Sequence, residues 1–209
     1  MYHGLFSPNY ESAVINKYDS TIKIVIDNWY KTNIYDKNLE SYIQNQIFCN
    51  DRTIYSGDGY TLNGTTKYKP YYRVIYSHKP SLICQNNNDK FTLKENSIST
   101  IKGTSGYGNN ALNYPVGLIT IDEVLLAGSV YDIMNSKNYL YNEYYYWTLS
   151  PSFFYSLYAS ASIWDLSRSG AIDNDHTTTG RGVRPVINLK SNIEFISGSG
   201  TESDPYLVG

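Results

Sequence analysis

The last third of the chain, residues 144–209, constrains the fold most, because two stiff motifs enclose a polar interval there. The first motif is Tyr-Tyr-Tyr-Trp-Thr-Leu-Ser-Pro at residues 144–151, and the second is Gly-Val-Arg-Pro-Val-Ile-Asn-Leu at residues 182–189. The residues between them, 152–181, are rich in Ser, Tyr, Thr, Asp and Asn at positions that no hydrophobic core requires. This composition is typical of a surface that binds through adaptable hydrogen bonds and rigid aromatic contacts. The sequence therefore indicates a binding face on a fixed scaffold.

Length and charge limit the class of protein. The 209 residues suffice for one domain with one sizeable core. We expect a single domain over residues 1–209, with a helical and loop-rich half at 1–114 and a ligand-display half at 115–209. Acidic and basic residues nearly balance, 19 against 17, and Lys and Arg form no run that would follow a phosphate backbone. We therefore expect no nucleic acid partner.

Hydropathy argues against membrane insertion. No stretch approaches the roughly 18 apolar residues of a membrane-spanning helix, and no charged-then-apolar leader opens the chain. We expect no membrane insertion by this domain, and any anchor or export signal would lie elsewhere in the natural protein.

The two cysteines, Cys49 and Cys84, both lie in the first half of the chain. An even count in a Tyr-, Ser- and Asn-rich chain favours one disulfide, with two buried free thiols as the alternative. Neither cysteine has a second Cys or a His at zinc-ligand spacing. The Asp-Asn-Asp run at 173–175 offers oxygen atoms to calcium but lacks the glycine and the distal Glu of a calcium loop. We expect neither a metal nor a cofactor.

Tyrosine is the compositional outlier, with 23 of 209 residues. An AT-rich genome would account for part of the excess, because it would also enrich Asn, Lys and Ile. The remaining tyrosines cluster at residues 71–72, 139–146 and 155–158. Tyrosine combines a large apolar body with a polar tip, so these clusters suit a half-buried strand or a recognition surface.

Two helices are signalled by their ends and by apolar spacing. Ser20 is a candidate N-cap for a helix over residues 20–33, whose inward face would carry Ile22, Val25, Ile26, Trp29 and Tyr30. Thr120 and Glu123 have the spacing of a capping box, and Gly128 would end that helix after residue 127.

The rest of the pattern predicts short strands and loops. Strands are predicted at 47–49, 73–76, 81–84, 115–119, 144–149, 161–166, 171–172, 183–189, 193–196 and 206–208. The Ser-Arg-Ser-Gly sequence at 167–170 is typical of a hairpin turn, and Pro185 indicates an edge or a bulge because proline cannot donate to a ladder. Residues 50–69 and 96–113 are predicted as long loops. Two helices and many short strands indicate the α+β class.

No set of catalytic residues emerges from the sequence. The three histidines, His3, His78 and His176, lie far apart along the chain in unrelated surroundings. Nucleophilic hydrolysis is therefore disfavoured. Of the tryptophans, Trp147 is expected in the core beside Leu149, whereas Trp164 is expected on the binding face.

The order of the two motifs around a polar-aromatic interval resembles the C-terminal half of proteins with the C-type lectin fold. Within that fold, the resemblance is to the branch shared by formylglycine-generating enzymes and the variable proteins of diversity-generating retroelements. The ending Gly-Ser-Gly-Thr-Glu-Ser-Asp-Pro-Tyr at 198–206 looks like the tail of many gut-bacterial and prophage proteins. The resemblance covers residues 115–209 and implies a C-type lectin-like domain with two helices, a small mixed or antiparallel sheet and long loops.

In the retroelement family, adenine-directed mutagenesis rewrites codons within such an interval while the flanking residues stay fixed. The resemblance therefore implies a non-enzymatic module that displays variable side chains to a protein or glycan ligand, at the surface of a cell or of a phage particle. The implied ligand-binding residues are Ser152, Phe153, Tyr155, Ser156, Leu157, Tyr158, Ser160, Ser162, Trp164, Leu166, Ser167, Arg168, Ser169, Ala171, Asp173, Asn174, Asp175, His176, Thr177, Thr178, Thr179 and Arg181. The scaffold between them would be Phe154, Ala159, Ala161, Ile163, Gly170 and Ile172.

Three other functions are known or conceivable for this fold, and the sequence favours them to different degrees. An ordinary lectin-like adhesin or structural surface protein, whose polar loop is not diversified, fits the same sequence. Formylglycine-generating chemistry uses a reactive cysteine pair in the C-terminal region, and no cysteine follows Cys84. Calcium-dependent sugar binding uses Glu-Pro-Asn or Gln-Pro-Asp together with Trp-Asn-Asp, and neither motif is present. Calcium-free contact with a glycan through Tyr and Trp remains open.

Overall fold

The first helix follows the cap that the sequence signals. The structure, a computed structural model, describes residues 19–59, 64–103, 107–155, 160–201 and 203–209. Helix α1 spans Thr21–Asn33, and the backbone N–H of Lys23 donates to Oγ of Ser20 at 3.1 Å. Ile26 and Tyr30 on its inward face are fully buried, so the predicted helix is confirmed, but Val25, which was expected on the same face, is 47% exposed.

The described strands form three antiparallel sheets. The strands are β1 (Phe48–Cys49), β2 (Ile54–Ser56), β3 (Thr65–Tyr68), β4 (Lys90–Phe91), β5 (Tyr146–Tyr155), β6 (Ser160–Leu166), β7 (Ile172–His176), β8 (Phe195–Ser197) and β9 (Leu207–Val208). The central sheet has the order β2-β3-β5-β6-β7, while β1 pairs with β4 and β8 pairs with β9. With the helices, these sheets give an α+β fold, and the class predicted from the sequence is confirmed.

The hairpin of β6 and β7 matches its prediction. Ser162 pairs with His176 and Leu166 pairs with Ile172, with the turn at 167–170 between the strands. Gly170 in that turn has a φ of +78°, and a Cβ there would lie 2.2 Å from the backbone oxygen of Asn135. Only glycine fits this position without strain.

The short helix α3, Ile121–Leu126, has both hydrogen bonds of the predicted capping box. The backbone N–H of Glu123 donates to the Thr120 hydroxyl, and the backbone N–H of Thr120 donates to the Glu123 carboxylate. Gly128 follows with a φ of +93°, so this prediction is also confirmed.

The segment between the cysteines differs most from prediction. Residues 50–69 were expected to be a loop, but their described part contains β2 and β3. Residues 73–76 were expected to be extended, but α2 (Lys69–Tyr72) continues into a π-helical turn, Arg73–Ser77, and gives the described chain a third α-helix. Pro70 fits the first turn of α2 because its missing N–H is not required there. Residues 81–84 have no regular structure.

Isolated bridges replace two other predicted strands. In residues 115–119 and 183–189, Gly117 and Val186 exchange backbone hydrogen bonds of 3.0 and 2.9 Å, and Leu189 forms a separate bridge with Ile43. Pro185 cannot donate, and the missing side chain of Gly117 leaves room for the ring of Phe48, which a Cβ would approach to 2.3 Å.

Two hydrophobic cores lie against the central sheet. The first includes Ile26 and Tyr30 of α1, and the second includes Ile121 and Val124 of α3. Successive residues of β6 alternate between them: Ala161 and Ile163 belong to the first core, and Trp164 and Leu166 belong to the second. Both faces of β6 are therefore covered.

A disulfide joins Cys49 to Cys84, which confirms the predicted pairing over free thiols. The bond connects β1 to the segment that follows α2. The enclosed residues, 50–83, include β2, β3 and α2, so the bond restrains the whole region that differs most from prediction.

Candidate ligand-binding surface

Six of the predicted site residues are buried and form no part of any surface. They are Ser152, Ser162, Trp164, Leu166, Ser167 and Ala171. The expectation that Trp164 lies on the binding face is wrong, since its side chain is 0% exposed in the second core. Trp147 is 5% exposed in the first core, as predicted. Alternation along a strand identifies side chains that share a face, but it does not tell which face is covered.

The exposed or half-buried members of the predicted set are Phe153, Tyr155, Ser160, Arg168, Ser169, Asp173, Asn174, Asp175, His176, Thr177, Thr178, Thr179 and Arg181. Three further predicted residues, Ser156, Leu157 and Tyr158, lie outside the described residues. Arg168 and Ser169 occupy the hairpin turn at one end of β6, whereas Ser160 and His176 lie at the other end, about 20 Å away for a strand of this length. The interval therefore does not form a single patch.

His176 and Phe153 mark one edge of an aromatic surface. Their rings lie edge to face with centroids 6.5 Å apart, and the Ser160 hydroxyl oxygen lies 2.6 Å from Nδ1 of His176. Phe153 and Ser162 are register partners across β5 and β6, and Ser162 pairs in turn with His176. Three adjacent strands thus place Phe153, Ser160 and His176 side by side.

The aromatic surface continues outside the predicted interval. Tyr71 lies 6.5 Å from Phe153 and 6.2 Å from Tyr76, and Tyr76 lies 6.0 Å from Tyr72 and 6.1 Å from Tyr55, between ring centroids. Tyr55 and Tyr72 approach most closely, at 4.7 Å. We call the six rings of Tyr55, Tyr72, Tyr76, Tyr71, Phe153 and His176 the aromatic strip.

Helix α2 and the π-helical turn after it supply three of the six rings, which sequence reasoning missed. Tyr72 and Tyr76 are four residues apart, and neighbours at that spacing lie on one helical face. The tyrosine cluster at 71–72 was visible in the sequence, but the extended conformation expected for 73–76 separated Tyr76 from it. Tyr55, Tyr72 and Tyr76 are 39%, 37% and 53% exposed, so solvent reaches the strip.

Two lysines lie over the strip. Nζ of Lys67 lies 4.5 Å from the ring centroid of Tyr71, and Nζ of Lys69 lies 5.9 and 6.0 Å from those of Tyr55 and Tyr72. These distances are within the range of cation–π attraction. Neither ammonium group has a carboxylate partner among the described residues.

Trp164 supports the strip from beneath. Its ring lies 5.9 Å from Tyr71 and 5.9 Å from Tyr131, between centroids. Burial, reinforced by the negative charge of Asp173, raises the pKa of the Tyr131 hydroxyl. The fully buried indole therefore supports Tyr71 from below and is not itself accessible to a ligand.

A charged cluster occupies the opposite face of the hairpin. Nε of Arg181 donates to Asp165 at 2.8 Å, and its Nη2 donates to Asp175 at 2.6 Å. The Arg181 guanidinium also lies 4.2 Å from the ring centroid of Tyr145. Burial raises the pKa of Asp165 to about 6 even though Arg181 acts to lower it. Three predicted ligand contacts, Asp173, Asp175 and Arg181, thus belong to or border a structural ion-pair cluster.

A concavity of about 150 Å³ opens beside the disulfide. Arg73 spans it, donating to Asp122 at 2.6 and 2.8 Å and to Asp51 at 2.8 Å. The backbone N–H of Ser81 also donates to Asp122, at 2.8 Å. These bonds fasten α2 to α3 and to the segment after β1. They therefore hold the tyrosines of α2 in position within the strip.

The described residues contain no group of three or more His, Cys, Asp and Glu side chains placed to hold a metal ion. In the same ranges, no helix combines the length and the apolar character needed to cross a bilayer.

No protein-family model, curated protein or solved structure matches the chain.

Proposed function

We propose that the protein is a non-enzymatic ligand-binding module with a C-type lectin-like fold, related to the variable proteins of diversity-generating retroelements. Its ligand is a protein or glycan of a cell surface. The observation that carries this proposal is the aromatic strip, whose six rings follow one another at centroid distances of 4.7 to 6.5 Å. Exposed tyrosines of this kind are the usual anchors of recognition surfaces, since they bury a large area and lose few torsions on binding.

Contacts between the two flanking motifs support the scaffold part of the proposal. The backbone N–H of Gly182 donates to Tyr145 at 2.9 Å, and the N–H of Trp147 donates back to Gly182 at 3.1 Å. The guanidinium of Arg184 lies 4.7 Å from the ring centroid of Tyr146 and donates to the Leu140 carbonyl at 2.8 Å. Both ends of the interval are thereby fastened together, whatever side chains project between them.

The residues of the interval have two roles. Buried residues such as Ser152, Trp164 and Leu166 belong to the scaffold, whereas the surface positions carry ligand contacts. Phe153 and His176 contribute most, because they extend the strip into the interval.

We further propose an extracellular location, at the surface of a cell or of a phage particle. The Cys49–Cys84 disulfide supports it, since such bonds persist in oxidising compartments and are rare in reducing ones.

Binding measurements on strip variants test the proposal. The probes are an array of immobilised glycans and a panel of purified cell-surface proteins. Phe153→Ala, Tyr76→Ala and His176→Ala should each lower affinity for a bound probe about tenfold or more with the fold retained, since removal of an anchor costs roughly 1 to 2 kcal/mol or more. Tyr139→Ala is the matched control, because Tyr139 is a 78% exposed tyrosine that makes no ring contact with the strip. Affinity that is unchanged in all three strip variants contradicts the proposal.

Diversification separates the variable-protein proposal from an ordinary lectin-like adhesin. A near-copy of the coding segment for residues 152–181, beside a reverse transcriptase gene and differing only at adenines, is expected. Its differences should fall in codons of exposed residues such as His176 and Thr178, and should spare codons of buried residues such as Trp164. A locus without such a copy favours the adhesin.

A further inference from the structure

Most of the strip lies outside the interval and forms a unit with two lysines. This unit, which we call the tyrosine platform, consists of Tyr55, Lys67, Lys69, Tyr71, Tyr72 and Tyr76. It is built by β2, β3 and α2, elements that precede the interval by more than 70 residues. Diversification of the interval would leave it unchanged.

We infer that the tyrosine platform binds an oligosaccharide that carries carboxylate groups, such as a uronic acid or sialic acid. The inference rests on the proposed function and specifies its ligand: a constant acidic-sugar subsite beside a variable surface.

Charge complementarity indicates an anionic ligand. Lys67 and Lys69 bring two ammonium groups to the rings, and the described chain offers neither of them a carboxylate. Lys67 is half-buried, so its charge is screened less than that of a fully exposed lysine. A ligand carboxylate would therefore gain attraction from both lysines without displacing an internal ion pair.

The tyrosines indicate a saccharide. From Tyr72 through Tyr76 to Tyr71 the rings are in contact, with centroids 6.0 to 6.2 Å apart and planes tilted by 40° and 58°, so they form an uneven apolar surface. The apolar C–H faces of sugar rings pack on aromatic faces. Among the described residues, none of the four phenol oxygens hydrogen-bonds to the protein. Those hydroxyls can both donate to and accept from sugar hydroxyl groups.

An acidic peptide satisfies fewer of these groups. Its carboxylates would pair with the lysines and its backbone offers one N–H and one C=O per residue, whereas each sugar unit offers several hydroxyl groups to the four phenols placed side by side. Unpaired polar groups at an interface cost affinity. The saccharide is therefore the occupant that satisfies both charge and phenols.

The platform is held in place before a ligand arrives. Tyr71 rests on the buried indole of Trp164, and α2 is fastened by the ion pairs of Arg73 with Asp51 and Asp122. Little side-chain or backbone freedom is then left to lose on binding, which favours affinity.

Titration with matched oligosaccharides tests the inference. The probes are uronic-acid and sialic-acid oligosaccharides, the same compounds with their carboxyl groups reduced to alcohols, and a Glu-rich peptide. At least one carboxylated member should bind at least tenfold more tightly than its reduced counterpart, and added salt should weaken that binding. The double variant Lys67→Gln/Lys69→Gln should lose this preference, while Lys102→Gln/Lys137→Gln, at two exposed lysines outside the platform, should keep it.

Three results would overturn the acidic-sugar inference. Equal affinity for acidic and reduced sugars, no measurable binding of any carboxylated member at millimolar concentration, or tighter binding of the peptide overturns the inference. If Tyr76→Ala abolishes binding of a probe but the double lysine variant does not, the acidic-sugar inference is wrong while the proposed function stands. If no strip variant alters binding of any probe, the proposed function itself fails.

Discussion

At the scale of single residues, two neighbours in β6 face opposite sides of the sheet and behave differently. Trp164 is packed beneath Tyr71 and Tyr131 in the second core. Asp165 is 0% exposed on the other side, where Arg181 satisfies one carboxylate oxygen and Oδ1 has no hydrogen-bond partner among the described residues. A buried carboxylate with an unsatisfied oxygen favours its protonated form.

Asp165 should make stability depend on pH. Burial raises its pKa in the folded protein to about 6 from the ordinary 3.8, so the folded state holds this proton more tightly than the unfolded state. The resulting stability is fully present below about pH 4 and is lost as pH rises through about 6, by up to about 3 kcal/mol. Urea denaturation of Asp165→Asn should therefore show a flatter profile than the wild type between pH 4 and pH 7.

The control for this experiment is Asp132→Asn. Asp132 is exposed, and asparagine tolerates its positive φ of 55°. Its profile should follow that of the wild type. A wild-type profile that rises over the same window, or an Asp165→Asn profile that coincides with it, would show that Asp165 is ionised normally in the folded protein.

At the scale of elements, the helices and the turn that were predicted correctly are those whose conformation depends on residues nearby in the chain. Helices α1 and α3 were predicted because Ser20, Thr120 and Glu123 cap them within one turn of chain. The β6–β7 turn was predicted because Gly170 occupies a conformation that other residues avoid. Each of these features can be inferred without knowing what packs against it.

Partner contacts determine the elements that were missed. Strand β3 is polar, and it forms because Thr65, Thr66 and Lys67 pair with β5. Helix α2 is rich in tyrosine, a residue that favours strands, and the π-helical turn that continues it is fastened by the ion pairs of Arg73 with Asp51 and Asp122. Most of the candidate site lies on these elements, so the sequence located the part within the interval and missed the platform.

The Cys49–Cys84 disulfide should hold the platform elements together. It closes a loop with a sequence separation of 35 that contains β2, β3 and α2. Cys49→Ser/Cys84→Ser should lower the free energy of unfolding by about 3 to 4 kcal/mol, because the unfolded chain regains loop entropy. Urea denaturation measures the loss, and reduction should destabilise the wild type but leave the double variant unchanged. A loss below about 1 kcal/mol would contradict this role.

At the scale of the whole molecule, the protein separates a scaffold from a surface. Strand β6 is covered on both faces, and the flanking motifs are joined through Gly182 and Arg184. The interval of residues 152–181 contributes to both parts, since some of its side chains are buried while others face solvent. Tolerance to substitution should therefore vary within the interval according to burial.

The most direct test of this division is a comparison of two libraries for the fraction of folded members, measured by resistance to protease on a display system. One library randomises the exposed or half-buried positions 168, 174, 176, 177, 178 and 179, and the other randomises the buried positions 152, 162, 164, 166, 167 and 171. Surface substitutions usually change stability by less than about 0.5 kcal/mol each, whereas buried ones cost several. Most members of the first library should be folded, and few members of the second should be. Similar folded fractions in the two libraries would contradict this division.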